Sequence, residues 1–248
     1  MLEVRNISRS FGGVRALSSI NFQIEANQIS GLIGPNGAGK TTLFQIISGH
    51  EKADTGNILW NGKDITGMNP AYLAKLGMAR TFQNIRLFGS MTVREQVMMG
   101  FHIQRNAGFL RSVLRTKYFQ NQEELFINKT NEILEFLKLT DCIDKPSLSL
   151  SYGQQRRVEI GRCLAMNPTL LLLDEPAAGM TDRETLDLME ILSNLKERQI
   201  SILLVEHDMH LVMNLCDKIT CINFGSVIAD GTPREVRDHP AVMEAYLG

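Results

Sequence analysis

Apolar runs and alternations divide this chain into short strands and longer helical stretches. Residues 2–7, 20–24 and 29–33 are rich in β-branched and apolar side chains, with Gly12-Gly13 and Ala26-Asn27 as turn residues between them, and each predicts a strand. Residues 56–60 followed by Asn61-Gly62 predict a hairpin, because Asn-Gly accepts the positive φ of a tight turn. Together these segments predict a small, partly antiparallel sheet attached to the strand 29–33. Residues 78–82 predict another short strand. From 92 to 139 the period turns helical and the composition more polar, and after a loop at 146–149 a helix is predicted over about 154–166. Leu170–Asp174, Ser201–Val205 and Lys218–Asn223 are continuous apolar runs separated by helical segments, the pattern of a parallel sheet covered on both faces. Gly225-Ser226 turns the chain into a last strand over 227–229, and short helices are predicted after Thr232-Pro233 and His239-Pro240. The fold class is therefore α/β. A single domain spans 1–248, its core at about 1–85 and 160–248, with a helical subdomain inserted at about 86–159.

Composition narrows the classes. A length of 248 residues with 44% hydrophobic and 21% charged side chains is ordinary for a globular protein with a sizeable core. The net charge of −1 gives no global attraction to nucleic acid. The start, MLEVRNISRSFGG, lacks the apolar segment of a signal peptide, so export is not expected. No apolar run approaches the roughly 20 residues that cross a bilayer, so any membrane role is expected to be peripheral. Cys142, Cys163, Cys216 and Cys221 form no C-x-x-C pair and read as small apolar thiols of a reducing compartment. His207 and His210 form an H-x-x-H pair without the glutamate of a zinc-protease helix.

Chemistry enters at Gly34-Pro35-Asn36-Gly37-Ala38-Gly39-Lys40-Thr41, which lies between the strand 29–33 and a helix predicted from Thr42 to Ser48. A strand, a glycine-rich loop and a helix in that order present successive backbone N–H groups, and the positive helix end, to the phosphates of a nucleoside triphosphate. Lys40 reaches the outer phosphates as a point charge, and the Thr41 hydroxyl suits Mg²⁺. The run 170–175, LLLLDE, is a buried strand ending in two acids: Asp174 for the metal and Glu175 as general base toward a nucleophilic water. His207 follows the strand around 200–206, at the sheet edge where α/β folds bind ligands, although taken alone such a histidine is more often an ordinary surface residue. Gln83 follows the strand 78–82, and its amide meets either Mg²⁺ or the water. Ser151, Gly153 and Gln154 in LSYGQ precede a helix. They present a hydroxyl and N–H groups to an anion, or serve only as a helix cap.

Phe11, the loop 34–41, Gln83, LSYGQ at 150–154, LLLLDE at 170–175 and His207 occur in the order that identifies ATP-binding-cassette (ABC) ATPases, and the resemblance covers essentially the whole chain. It implies a P-loop ABC-type fold with a mostly parallel core sheet, an N-terminal antiparallel β-subdomain and an inserted α-helical subdomain. It implies two cassettes stacked head to tail around two ATP molecules. Each ATP would lie against Gly34, Pro35, Asn36, Gly37, Ala38, Gly39, Lys40, Thr41 and Thr42 of one subunit and Ser151, Gly153 and Gln154 of the other. It makes Phe11 the adenine-stacking aromatic, where residue type alone equally allows a core phenylalanine. It makes Gln83 the sensor that links nucleotide to a membrane partner, with Glu175, His207, Lys40 and Gln83 as the catalytic set and Thr41, Gln83 and Asp174 around Mg²⁺. Two positions depart from the family pattern. Tyr152 replaces the usual glycine of the signature, and Thr181 stands where an aspartate usually couples the two sites, with Asp182 one position late.

The stretch Ala79 to Gly89 (ARTFQNIRLFG), the insertion at about 102–125, LSYGQQRRVEIGR and the ending EAYLG resemble the larger ATPase of branched-chain amino acid importers. That resemblance implies a partner ATPase, identical or different, two membrane-spanning permease subunits and an extracytoplasmic binding protein, with this chain peripheral on the cytoplasmic face. Import of urea or other amides, lipid export, and a soluble cassette acting on ribosomes or DNA are the alternatives. Arg105, Arg111, Arg115 and Lys117 interleave with Phe109, Leu110, Val113 and Leu114 in the insertion. This is either an amphipathic helix meeting headgroups or a membrane subunit, or a helix with a solvated basic face.

Overall fold

A computed structural model describes residues 2–104 and 117–247. The interleaved basic and apolar side chains of the insertion, from Arg105 to Lys117, lie outside the described residues.

Strand β1 (Leu2–Phe11) turns at Gly12-Gly13 into β2 (Val14–Ile24), and the two pair antiparallel along their length. Both strands are longer than the pattern 2–7 and 20–24 predicts. The ladder shifts register between Val4 and Ile7, between Ile7 and Arg9, and between Arg9 and Ser10, while Asn6 and Ser19 take positive φ. Such bulges break the alternation of buried and exposed positions that marks a strand. β3 (Ile29–Ile33) does not join this pair. The expected attachment of the small sheet to β3 is not seen, because β1 pairs instead with β4 (Thr55–Trp60), which forms the predicted hairpin with β5 (Lys63–Asp64) through Asn61-Gly62. The result is a four-stranded antiparallel sheet of order β2-β1-β4-β5.

β3 is central in a second sheet, with β6 (Met78–Arg80), β7 (Leu170–Asp174), β8 (Ser201–Val205), β9 (Lys218–Asn223) and β10 (Ser226–Gly231) in the order β10-β9-β3-β8-β7-β6. Its ladders are parallel except at β10, which returns antiparallel beside β9. β3, β7 and β8 are buried at every position, which is why they read as unbroken apolar runs. Alternate residues face two cores. Ile33, Leu171, Leu173 and Leu204 pack toward the helical region, and Leu32, Leu172, Leu203 and Val205 toward the antiparallel sheet. Each such side chain contributes about 1.5–3 kcal/mol of burial.

Among the described residues the α-helices are α1 (Lys40–Ile47), α2 (Pro70–Leu76), α3 (Val93–Met98), α4 (Lys117–Phe136), α5 (Tyr152–Leu164), α6 (Asp182–Glu197), α7 (Met209–Leu215), α8 (Pro233–Arg237) and α9 (Pro240–Leu247), and a 3₁₀ segment follows α3 at Met99–Gln104. α5 starts earlier than 154 because Ser151 caps it, and it runs across the subdomain boundary expected at 159/160. Since β3, β7 and β8 are parallel neighbours, the residues after Ile33, Leu173 and Val205 emerge at one edge of the sheet.

Candidate active site

The loop between β3 and α1 has two glycines that packing demands. Gly34 has φ 150°, and a Cβ there would lie 2.0 Å from the Ile222 carbonyl oxygen. Gly39, the N-cap of α1, has φ 105°, and a Cβ there would lie 2.7 Å from the Ala16 carbonyl oxygen. Gly37 differs: its φ is 79°, yet nothing approaches within 4 Å of its Cβ position. Backbone bonds from Gly225 to the Ala38 carbonyl (2.9 Å) and from Ser18 to the Gly225 carbonyl (2.8 Å) brace the loop from behind. α1 begins without a side-chain cap and without an acid in its first turn, so its positive end is not neutralised locally. Lys40 is buried in that turn and Nζ donates to the carbonyls of Gly34 (2.5 Å) and Pro35 (2.9 Å). Burial lowers its pKa, opposed by the negative charge of Glu175. Asn36, Gly37 and Thr41 are exposed, and Pro35 and Thr42 half-buried. A cavity of about 520 Å³ opens beside Pro35–Ala38, closed on its other sides by Phe224, Ile228 and α9.

The acids stand at the neighbouring strand tip. Asp174 is buried at the end of β7, where Arg80 Nη2 lies 3.2 Å from its Oδ2. Burial pushes the Asp174 pKa up, and Arg80 pulls it back down. Arg80 itself lies 4.7 Å from the centre of the Phe44 ring and donates to the Ser48 hydroxyl at 2.5 Å. Glu175 is held in the left-handed region at φ 46°, its N–H bonded to the Val205 carbonyl at 2.9 Å. That conformation is costly for a residue with a side chain and gathers at functional positions. Its carboxylate accepts from Gln83 Nε2 at 3.2 Å and lies 3.9 Å from His207 Nδ1. Beneath it, Glu206 is almost fully buried and accepts from the N–H groups of Ala177 (2.9 Å) and His207 (3.1 Å), so one carboxylate sets the backbone on both sides of the cluster. Burial raises the Glu206 pKa.

The structure thus brings Gln83, Glu175 and His207 together, next to Asp174 and within the field of Lys40. Ser151, Gly153 and Gln154 form a separate group. Ser151 caps α5 in a reciprocal box with Gln154, and its hydroxyl donates to Glu184 at 2.8 Å. Phe11 is 43% exposed, which removes the core reading, and the Arg9 guanidinium lies 4.6 Å from its ring centre, braced by Glu51 and Asp54. Thr181 caps α6. Arg80, Arg156, Glu159, Glu184 and Glu206 were not singled out as site residues by sequence. Arg80, Arg156 and Glu159 carry a signal only as members of the stretches that resemble the importer branch.

A strand, glycine loop and helix, with carboxylates at the tip of a parallel strand of the same sheet, define a P-loop nucleoside triphosphatase. The chain belongs to the ABC transporter family, whose pattern matches residues 17–178, and it is an ATPase of the kind that couples hydrolysis to transport. A second family, described as branched-chain amino acid ATP-binding cassette transporter, matches residues 226–248. The chain is 42% identical to the high-affinity branched-chain amino acid transport ATP-binding protein BraF of Pseudomonas aeruginosa, over 100% of this chain and 98% of that protein. It is 39% identical, with the same coverage, to the corresponding protein LivG of Escherichia coli. Two solved cassettes of ABC transporters, one nucleotide-free and one in an ADP conformation, superpose with TM-scores of 0.86 and 0.87 at 35% and 36% identity. Each covers 100% of this chain and 99% and 98% of its own.

Proposed function

We propose that this chain powers the uptake of branched-chain amino acids as one of two ATPases beneath a pair of membrane-spanning subunits, served by an extracytoplasmic binding protein. The observation that carries this reading is similarity along the whole length, including the final segment 226–248, to proteins named for that transport. Among the described residues no helix is long and apolar enough to cross a membrane, which accords with a peripheral seat on the cytoplasmic face.

The geometry supports a division of labour. Phe11, exposed at the end of β1, stacks on adenine. Lys40 exchanges the carbonyls of Gly34 and Pro35 for phosphate oxygens, while Pro35 to Thr42 surround the phosphates with N–H groups. The Thr41 hydroxyl, the Gln83 amide oxygen and the Asp174 carboxylate are hard oxygen donors of the kind Mg²⁺ takes and would hold it, with Asp174 kept in place by Arg80 at 3.2 Å. The chemistry such an ion would supply is neutralisation of charge on the phosphate oxygens. Glu175 takes the proton of the attacking water, oriented by its left-handed backbone, Gln83 and His207. Ser151, Gly153 and Gln154 meet the triphosphate held by the partner cassette.

Uptake of labelled leucine in cells lacking this gene, complemented with wild type or Glu175→Gln, tests the reading. Uptake restored by wild type alone is the expected result. Failure of both, with the protein membrane-bound and the wild type hydrolysing ATP, would remove the cargo assignment.

A further inference from the structure

One carboxylate joins the N-termini of two helices. Glu184 Oε2 accepts from the N–H (3.1 Å) and the hydroxyl (3.0 Å) of Thr181, completing the capping box of α6. Glu184 Oε1 accepts from the Ser151 hydroxyl at 2.8 Å, at the N-cap of α5. Gly153 lies directly against this carboxylate: a Cβ there would be 2.6 Å from Oε1. The signature loop is thus moulded around an anion that belongs to its own chain.

We propose that Glu184 is a positioning residue that stands in for phosphate: it holds Ser151 and Gly153 within its own subunit until the partner-bound triphosphate displaces it. This rests on the reading that Ser151 and Gly153 contact ATP across the dimer. A serine hydroxyl has one proton to donate, so Ser151 serves either the Glu184 carboxylate or a phosphate oxygen, not both. Two anions on the same donors at the positive end of α5 also repel each other. When Oε1 is displaced, Oε2 remains on Thr181, so the start of α6 registers whether the signature is occupied. α6 follows directly on the segment from Glu175 to Met180, which carries the general base. Thr181 stands where the family pattern has an aspartate, and here a carboxylate from the first turn of the helix makes the connection. A plain structural tie between α5 and α6 would need the same bonds but would not compete with nucleotide.

The test uses the tagged chain, purified as the complex it forms in membranes, with hydrolysis followed against ATP concentration. Glu184→Gln keeps one acceptor oxygen for the capping box, and its NH₂ donates to Ser151, freeing the serine proton. Glu184→Asp keeps the charge and the cap but falls short of Ser151. Both variants should lower the KM for ATP about three- to tenfold, the net worth of one hydrogen bond, with thermal unfolding close to wild type. Asp182→Asn, in the same helical turn, should leave KM unchanged. An unchanged KM in the folded Glu184 variants, or an equal fall in Asp182→Asn, overturns the proposal. If Glu184→Gln fails to assemble, Glu184→Asp decides alone. Ser151→Ala separates the two readings. If it leaves hydrolysis intact, the cross-dimer role of the signature fails. If it impairs hydrolysis while the Glu184 variants keep the wild-type KM, only the role of Glu184 fails.

Discussion

Arg156 and Glu159 lie 2.8 Å apart on one face of α5, and neither side chain has any exposure to solvent. Both side chains also bond to the segment that carries Gln83. Arg156 donates to the carbonyls of Phe82 (2.7 Å) and Gln83 (2.9 Å), and Glu159 accepts from the Phe82 N–H at 3.3 Å. The signature helix and the Gln83 segment are therefore buckled together within one subunit. Removing one partner of a buried pair strands the other charge. Glu159→Ala should lose about 3–5 kcal/mol of stability. Replacing both with apolar residues of similar volume should recover most of that loss, yet release the Gln83 backbone and lower kcat. Urea unfolding and ATP hydrolysis on the same three proteins check this, and a double variant with wild-type kcat would show the buckle to be structural only.

Arg80 plays the corresponding part for Asp174, and pH exposes it. Burial already lifts the Asp174 pKa, with Arg80 as the main opposing influence. Arg80→Ala removes that influence, so the folded-state value rises further above the unfolded one. A group raised in this way contributes stability that is complete below its unfolded pKa and lost as pH rises through the folded value. The deficit of Arg80→Ala should therefore be small at and below the ordinary aspartate pKa of about 4 and grow as pH rises, toward about 3–5 kcal/mol near neutrality. Urea midpoints across that range measure it. A deficit independent of pH would mean that lost packing on Phe44, rather than the bare carboxylate, sets the effect.

What was legible in the sequence divides along physical lines. β3, β7 and β8 are buried on both faces, so their runs needed no partner to be recognised. The bulges of β1 hide the alternation that would mark its full length, and apolar patterning does not encode that β1 pairs with β4 rather than with β3. At the site, Lys40, Asp174 and Glu175 stand out through local spacing, whereas Ser151, Gly153 and Gln154 read alone as a helix cap and gain a role only from the company of the other motifs. Arg80 acts on a residue 94 positions away and Glu184 on one 33 positions away, and a lone arginine or a helix-capping glutamate has no spacing that betrays such a partner. Glu206 was passed over as the last residue of a strand, although its burial is what shapes the turns at Ala177 and His207.

The loop glycines allow packing and ligand demands to be separated. Gly34→Ala would drive a methyl into the Ile222 carbonyl, a contact that only a backbone shift relieves, so this variant should lose more than about 4 kcal/mol or fail to fold. Gly37 and Gly62 share a φ of 79° and an empty surrounding, one in the phosphate loop and the other in the β4–β5 turn. An alanine at either position meets the same left-handed strain of about 1–2 kcal/mol and no steric clash. Both variants should therefore unfold at nearly the same, slightly lowered temperature. Their nucleotide affinities should part. On the proposed reading the phosphates approach the backbone in the open space above Gly37, so Gly37→Ala should weaken ATP binding about tenfold or more, while Gly62→Ala leaves it unchanged. Thermal unfolding with titration of a fluorescent ATP analogue reads both quantities on each protein. If Gly37→Ala binds like wild type, or Gly62→Ala weakens binding as much, the glycine at 37 serves the chain's own conformation and the phosphates lie elsewhere.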